Sequence, residues 1–286
     1  MDKKLKWNSV WFLIYKIIAP LILLICTPLI PILYFDPDMT NLGLKILLQN
    51  DRDVDLAIQM LKYLNFNVTY LVSVLLLISM LNFFRKKNSK HFFNANSNNY
   101  YNYYYIVFWI ASNILGYEKI QLAGLPMHIQ FKIVLKATFP LIIPDSYEGH
   151  YDENVNVDTV STKCSNFDIE ETTGAANIII SDTYYIEDKD LELLYQPLPT
   201  IRVSSSLKDR RYINNELVQK TRETVEQLRR MGFTEINIFS TANPQNNLNI
   251  INSSFRFFGR FVNTKIYVFQ SCDKRQPVYS KRYRII

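Results

Sequence analysis

Six residues near the end of the chain have the types and spacing that hold polar ligands: Ser240-Thr241-Ala242-Asn243-Pro244-Gln245. They follow the apolar run Glu235 to Phe239 and precede a helical pattern in which Leu248, Ile251, Phe255 and Phe258 share one face. Asn243 suits a helix N-cap and Pro244 its first turn. The free N–H groups of such a turn favour an anion. Cationic side chains follow another short apolar run, Thr200 to Ser204: Arg202 within it, then Lys208, Arg210 and Arg211. Arginine and lysine give charge-assisted hydrogen bonds to phosphate. Tyr184, Tyr185, Tyr267 and Tyr279 are available to stack on bases.

Catalytic signatures are missing. There is no phosphate-binding glycine loop, no dinucleotide fingerprint, no zinc-protease helix and no nucleophile elbow. His91, His128 and His150 lack a cysteine or carboxylate at metal-ligand spacing. Asp182 and Asp188 form an imaginable carboxylate pair, but acidic turns at strand ends are common. The expectation is a non-enzyme with no cofactor and no metal. Cys26, Cys164 and Cys272 are isolated, which suits a reducing compartment.

The elements that would position these residues read as strand, helix, strand, helix, strand. Asn177 to Ile186 is an apolar strand. Tyr212 to Met231 is an amphipathic helix with Ile213, Leu217, Val225 and Leu228 in one stripe and Gly232 as its stop. Lys265 to Gln270 and Val278 to Ile285 are two further strands. This order predicts a parallel α/β unit, whose ligands bind beyond the carboxyl ends of its strands. Ahead of it, Ile106 to Leu115 reads as helix, Ile129 to Thr138 as strand, and Pro140 to Thr173 as acidic and irregular. Tyr147 to Pro199 carries twelve acidic and two basic residues, and Thr200 to Ile286 sixteen basic and six acidic. Such polarity suggests mutual docking, a basic binding surface or a face toward an anionic leaflet.

Before Arg85 the composition changes. Val10 to Tyr34 and Phe66 to Phe84 are each long and apolar enough to span a bilayer. The first has aromatic residues at both ends and no small-residue cleavage site behind it. The second stops at Arg85-Lys86-Lys87. Lys3, Lys4 and Lys6 precede the first span, whereas the connecting loop carries Asp36, Asp38, Asp51, Asp53 and Asp55 against Lys45, Arg52 and Lys62. The positive-inside rule places both termini in the cytoplasm. Within the loop, Asn41 to Leu64 could form a short amphipathic helix. The expected organisation is a two-helix transmembrane region at 1–87 (spans about 10–34 and 66–84), an Asn/Tyr-rich linker at 88–105 and a cytoplasmic Rossmann-like domain at 106–286.

The C-terminal pattern resembles a SAVED domain. The resemblance rests on "NIIISDTYYIEDKDL", the helix leading into "LRRMGFTEINIFSTANP", and "FFGRFVNTKIYVFQSCDKRQPVYSKRYRI". Its matching positions are Ile238 to Pro244, Gly259-Arg260, Tyr267-Val268-Phe269-Gln270 and Tyr279. It covers Asn177 to Ile286 well and 106–176 weakly. Two spans ahead of such a domain look like the two-transmembrane SAVED effectors of bacterial anti-phage systems (CBASS). The resemblance implies two fused CARF-like units. It implies a cyclic di- or trinucleotide made by a partner nucleotidyltransferase, and no polymeric nucleic acid. It further implies homo-oligomers on activation and disruption of the bacterial inner membrane through contact with its lipids. The ligand-binding candidates are then Ser240, Thr241, Asn243, Gln245, Arg202, Lys208, Arg210, Arg211, Tyr184 and Gln270. A membrane-anchored scaffold with a ligand-free Rossmann-like domain is the rival expectation.

Overall fold

The computed structural model describes residues 10–34, 51–63, 68–95, 99–145, 160–167, 174–206, 212–256, 264–271 and 278–286. It divides into two compact units, Met1–His91 with Ile110–Tyr117, and Phe92–Trp109 with Glu118–Ile286.

The first unit contains α1 (Ala19–Tyr34), led in by a π-helical turn at Ile14–Ile18, then α2 (Asp51–Tyr63) and α3 (Val68–Asn88). The helical stretches Val10–Leu33 and Thr69–Asn88 are long and apolar enough to cross a membrane. Only 17% and 11% of their most apolar stretches are buried, so most of their apolar side chains face outward among the described residues. α1 packs along α3 and accommodates Pro28 and Pro31 within its length. Ile110–Tyr117, which follows α4 (Tyr105–Trp109), lies against α3 and the Ile14–Ile18 turn. Arg85 donates to the Asn113 carbonyl at 2.5 Å, Asn88 donates to that of Leu115 at 2.9 Å, and the Lys16 ammonium sits 5.3 Å from the Tyr117 ring centroid. Gly116 permits this approach, because a Cβ there would lie 2.6 Å from the Arg85 Cα.

The second unit opens with a small βαβ element. β1 (Lys119–Gln121) leads through α5 (Met127–Leu135) to β2 (Leu141–Ile143), which pairs with β1 in parallel, Lys119 opposite Leu141. On the far side of β1, Phe92 bridges Lys119, and Asn94 exchanges two hydrogen bonds with the Gln121 backbone. Within the stretch 88–105, expected as a linker, the described residues Phe93, Asn94 and Tyr101 are buried, and the Tyr101 N–H donates to the Gly124 carbonyl. The strand expected at Ile129 to Thr138 is the helix α5. His128, Ile129, Gln130, Phe131, Ile133 and Val134 are all buried there, so both faces are covered and the helical period is blurred.

A six-stranded sheet follows, ordered β3-β5-β4-β6-β7-β8, from β3 (Val160–Ser165), β4 (Ala175–Ser181), β5 (Thr200–Ser205), β6 (Glu235–Ser240), β7 (Lys265–Ser271) and β8 (Tyr279–Arg284). The four inner strands are parallel and the two edges antiparallel. β3 and β2 fall inside the stretch expected to be irregular. β4 and β6 are buried on both faces, which is why they read as continuous apolar runs. Ile179, Phe239 and Phe269 meet Ile186, Leu191 and Tyr195 of the β4–β5 connection, which carries one 3-10 turn at Asp188–Asp190, and Tyr279 of β8. α6 (Asn215–Arg230) packs on β5, β4 and β3. Asn214 caps α6 through the Leu217 N–H, and Gly232 ends it at φ 85°. α7 (Pro244–Ile250) continues as a π-helical turn, Ile251–Phe255.

Candidate ligand site at the carboxyl edge

The inner strands β5, β4, β6 and β7 end at Ser205, Ser181, Ser240 and Ser271, and their polar residues meet at one edge. Asn243 caps α7 as the sequence predicts: its Oδ1 accepts from the Asn246 N–H at 2.9 Å, with Pro244 in the first turn. The anion at this turn belongs to the chain itself. Asp182, one residue past β4 and 1% exposed, accepts from the Asn243 N–H at 3.0 Å and from Asn246 Nδ2 at 2.9 Å. Burial pushes its carboxyl upward, opposed by those two donors. A buried carboxylate here stands where an external phosphate was expected, and like charges repel.

The neighbouring segment is tied to the same point. Asn243 and Asn246 both donate to the Tyr212 carbonyl, and Asn246 Oδ1 accepts from the Asn214 N–H at 2.9 Å. The Tyr212 hydroxyl meets Ser205 Oγ at 2.9 Å. Thr241 is likewise engaged, donating to the Tyr184 carbonyl at 2.7 Å and accepting from the Asp182 N–H at 3.1 Å. Ser240 is buried and accepts from the Ala242 N–H. Gln245 donates to Asn249 Oδ1 at 3.4 Å.

Arg202 lies within β5 and is turned inward. Its guanidinium donates to the Ile186 carbonyl and to Asp188, and lies 4.9 Å from the Tyr185 ring centroid. These contacts fix the β4–β5 connection. Tyr184 is 68% exposed at the edge. Tyr279 is in the core, and Tyr267 lies under the Arg282 guanidinium at 3.5 Å. Lys208, Arg210 and Arg211, and the Gly259-Arg260 pair, lie outside the described residues.

Gln270, at the end of β7, joins two groups absent from the expected set. Its Nε2 donates to the Tyr100 hydroxyl at 2.8 Å, and its Oε1 is 2.9 Å from His128 Nδ1. The His128 ring stacks flat on Tyr283, centroids 3.6 Å apart. Burial drives His128 down to about 4, against the Gln270 hydrogen bond, so the ring is neutral at physiological pH. Gln130, also on α5, accepts from Asn247 Nδ2 at 2.6 Å. The start of α5 thus meets the carboxyl edge of the large sheet. Asp182 Oδ1, Ser204 Oγ and Asn247 Oδ1 are buried without a hydrogen-bond partner among the described residues. The Asn243-x-x-Asn246 spacing and an acid directly after an apolar strand were the available signals for the network around Asp182. His128 and Gln130 were hidden by the assignment of α5 as strand.

Two long apolar helices joined to a mostly parallel α/β unit, polar at its carboxyl edge, define a membrane protein with a Rossmann-like domain. Residues 2–286 match the family described as the SMODS- and Ubiquitin system-associated 2TM effector domain, and the chain belongs to it. No curated protein matches. Among solved structures, the Acinetobacter baumannii Cap4 SAVED/CARF-domain containing receptor with the cyclic trinucleotide 3'3'3'-cAAA is similar at 10% identity and a TM-score of 0.43, over 62% of this chain and 41% of that one. The Moraxella osloensis Cap4 SAVED/CARF-domain containing receptor is similar at 11% identity and a TM-score of 0.34, over 63% and 40%. This chain thus spans about two-fifths of the length of those receptors.

Proposed function

We propose that the chain is a membrane effector of anti-phage defence. A cyclic di- or trinucleotide, made by a partner nucleotidyltransferase, binds at the carboxyl edge. The domains then assemble into homo-oligomers, and the apolar helices disrupt the bacterial inner membrane. The reading includes two spans with both termini cytoplasmic, and no catalytic step. The observation that carries it is the convergence of amides, hydroxyls and a neutral imidazole from β4, β6, β7, α5 and α7 at the edge where parallel sheets take ligands. These groups suit base edges, and Tyr184 suits stacking. Asp182 disfavours phosphate at α7, so the proposal gives the phosphates to Lys208, Arg210 and Arg211.

Assembly follows from thermodynamics. A ligand shifts an equilibrium only through its differential affinity, and a ligand shared between neighbours supplies that difference. Pro20, Pro28 and Pro31 interrupt the hydrogen bonding of the first apolar helix, which eases its rearrangement on clustering.

Internal satisfaction of Ser240, Thr241, Asn243 and Arg202 favours the second reading, a ligand-free scaffold. Calorimetry of the detergent-solubilised chain against a panel of cyclic di- and trinucleotides separates the two. The sensor reading expects saturable heat with at least one member; silence across the panel favours the scaffold.

A further inference from the structure

Lys16 is the one charged residue of the apolar stretch Val10–Leu33. It lies on the π-helical turn that leads into α1 and is half-buried. Its ammonium faces the Tyr117 ring, and Lys87, at the end of α3, acts on it as a nearby like charge. Lys87 in turn lies 6.0 Å from the Phe83 ring centroid. An aromatic face attracts a cation but leaves its charge in place. Neither lysine has a carboxylate partner among the described residues. The acids described in the first unit are Asp51, Asp53 and Asp55 of α2, in the connection at the other end of the two apolar helices. Two like charges held together at a helix seam repel unless an anion joins them.

Two observations choose the anion. First, the run from Ile17 to Tyr34 rises about 27 Å, close to the roughly 30 Å of a hydrocarbon core. Lys16 therefore falls where lipid phosphates lie, and the apolar run of α3 stops beside it at Arg85-Lys86-Lys87. Second, Trp11 and Tyr15, just ahead of Lys16, are exposed and stacked with ring centroids 5.6 Å apart. These residue types favour the headgroup boundary. We propose that Lys16 and Lys87 together bind one phosphate anion, supplied by an anionic glycerophospholipid, which ties the first apolar helix to α3. Basic seams between membrane helices hold such headgroups. The inference rests on the reading that both helices lie in the membrane, and it needs no nucleotide.

The test uses the full chain, after alkaline extraction of cell membranes has shown in which fraction it resides. Native mass spectrometry of the detergent-solubilised chain then compares retention of phosphatidylglycerol and phosphatidylcholine with the same acyl chains. Phosphatidylglycerol should be retained in preference by at least about threefold. Lys16→Gln with Lys87→Gln should abolish the preference. Lys86→Gln with Lys90→Gln removes the same charge from the same basic run and should keep it, as should Lys16→Arg with Lys87→Arg. An equal loss in both glutamine pairs would overturn the proposal, because diffuse surface charge would then explain the preference. Inorganic phosphate that displaces phosphatidylglycerol at equal concentration would overturn the lipid as the source of the anion. Indifference to headgroup in a chain extracted from membranes would overturn this inference alone. A chain found in the soluble fraction would overturn it together with the membrane reading.

Discussion

Asn246→Ala should be among the most damaging single substitutions in the second unit. Asn246 is fully buried. Its loss leaves the Asn214 N–H without its acceptor and removes one of the two donors to Asp182. An orphaned buried N–H costs about 1–3 kcal/mol, and a hydrogen bond to a charged group contributes about 1.5–3. The Tyr212 carbonyl keeps its bond from Asn243, so no further loss is added there. Together these give roughly 3–5 kcal/mol, a large share of the about 5–15 kcal/mol that holds a typical domain. Denaturant unfolding of the solubilised chain, read by Trp109 fluorescence in the Trp7→Phe, Trp11→Phe background, measures it. In a cycle with Asp182→Asn, which neutralises the acceptor at constant shape, the coupling should be roughly 1–2 kcal/mol. A loss under about 1 kcal/mol, or no coupling, would refute the claim that Asp182 is held at α7 by these donors.

Three further outcomes follow from the geometry. His128 is held at about 4 when folded and titrates near 6.5 when unfolded, so the unfolded chain binds more protons between those values; stability should fall by about 2 kcal/mol, after screening, as pH drops from 7 to 4, and His128→Asn should flatten that slope in melts across pH. Arg202→Ala should lower the melting temperature through the freed Ile186–Asp188 segment and leave the salt dependence of nucleotide binding unchanged; a reduced salt slope would make Arg202 a phosphate ligand after all. Gly124 has φ 78°, and a Cβ there would lie 2.5 Å from the Asn99 carbonyl oxygen, so Gly124→Ala should destabilise by at least about 2 kcal/mol in the same unfolding assay.

The elements with a clear period were legible in the sequence. α6 announced itself by its stripe and by Gly232, β4 and β6 by apolar runs, and α7 by Asn243-Pro244. The two apolar helices were readable from length and composition. A helix covered on both faces was not, because burial erases its period: α5 looked like a strand. Phe93 and Tyr101 are buried within a stretch whose Asn/Tyr composition reads as a linker. The site was half legible. Sequence located the edge at Ser240 to Gln245, but residue type alone cannot tell a polar group that awaits a ligand from one already bonded. Asp182 lies more than sixty residues from Asn243, and the pairing of Gln270 with His128 and Tyr100 joins segments still farther apart. Such partners emerge only from the tertiary fold.

The central claim is that a cyclic oligonucleotide converts this chain into an assembly that breaches membranes. Its most direct test is the full chain in dye-loaded liposomes of inner-membrane lipid composition, with in-situ crosslinking, exposed to each cyclic di- and trinucleotide in turn. Dye release and crosslinked oligomers should appear together, with at least one nucleotide and only in its presence. Release without nucleotide, or a nucleotide-bound chain that stays monomeric while dye escapes, would contradict the account.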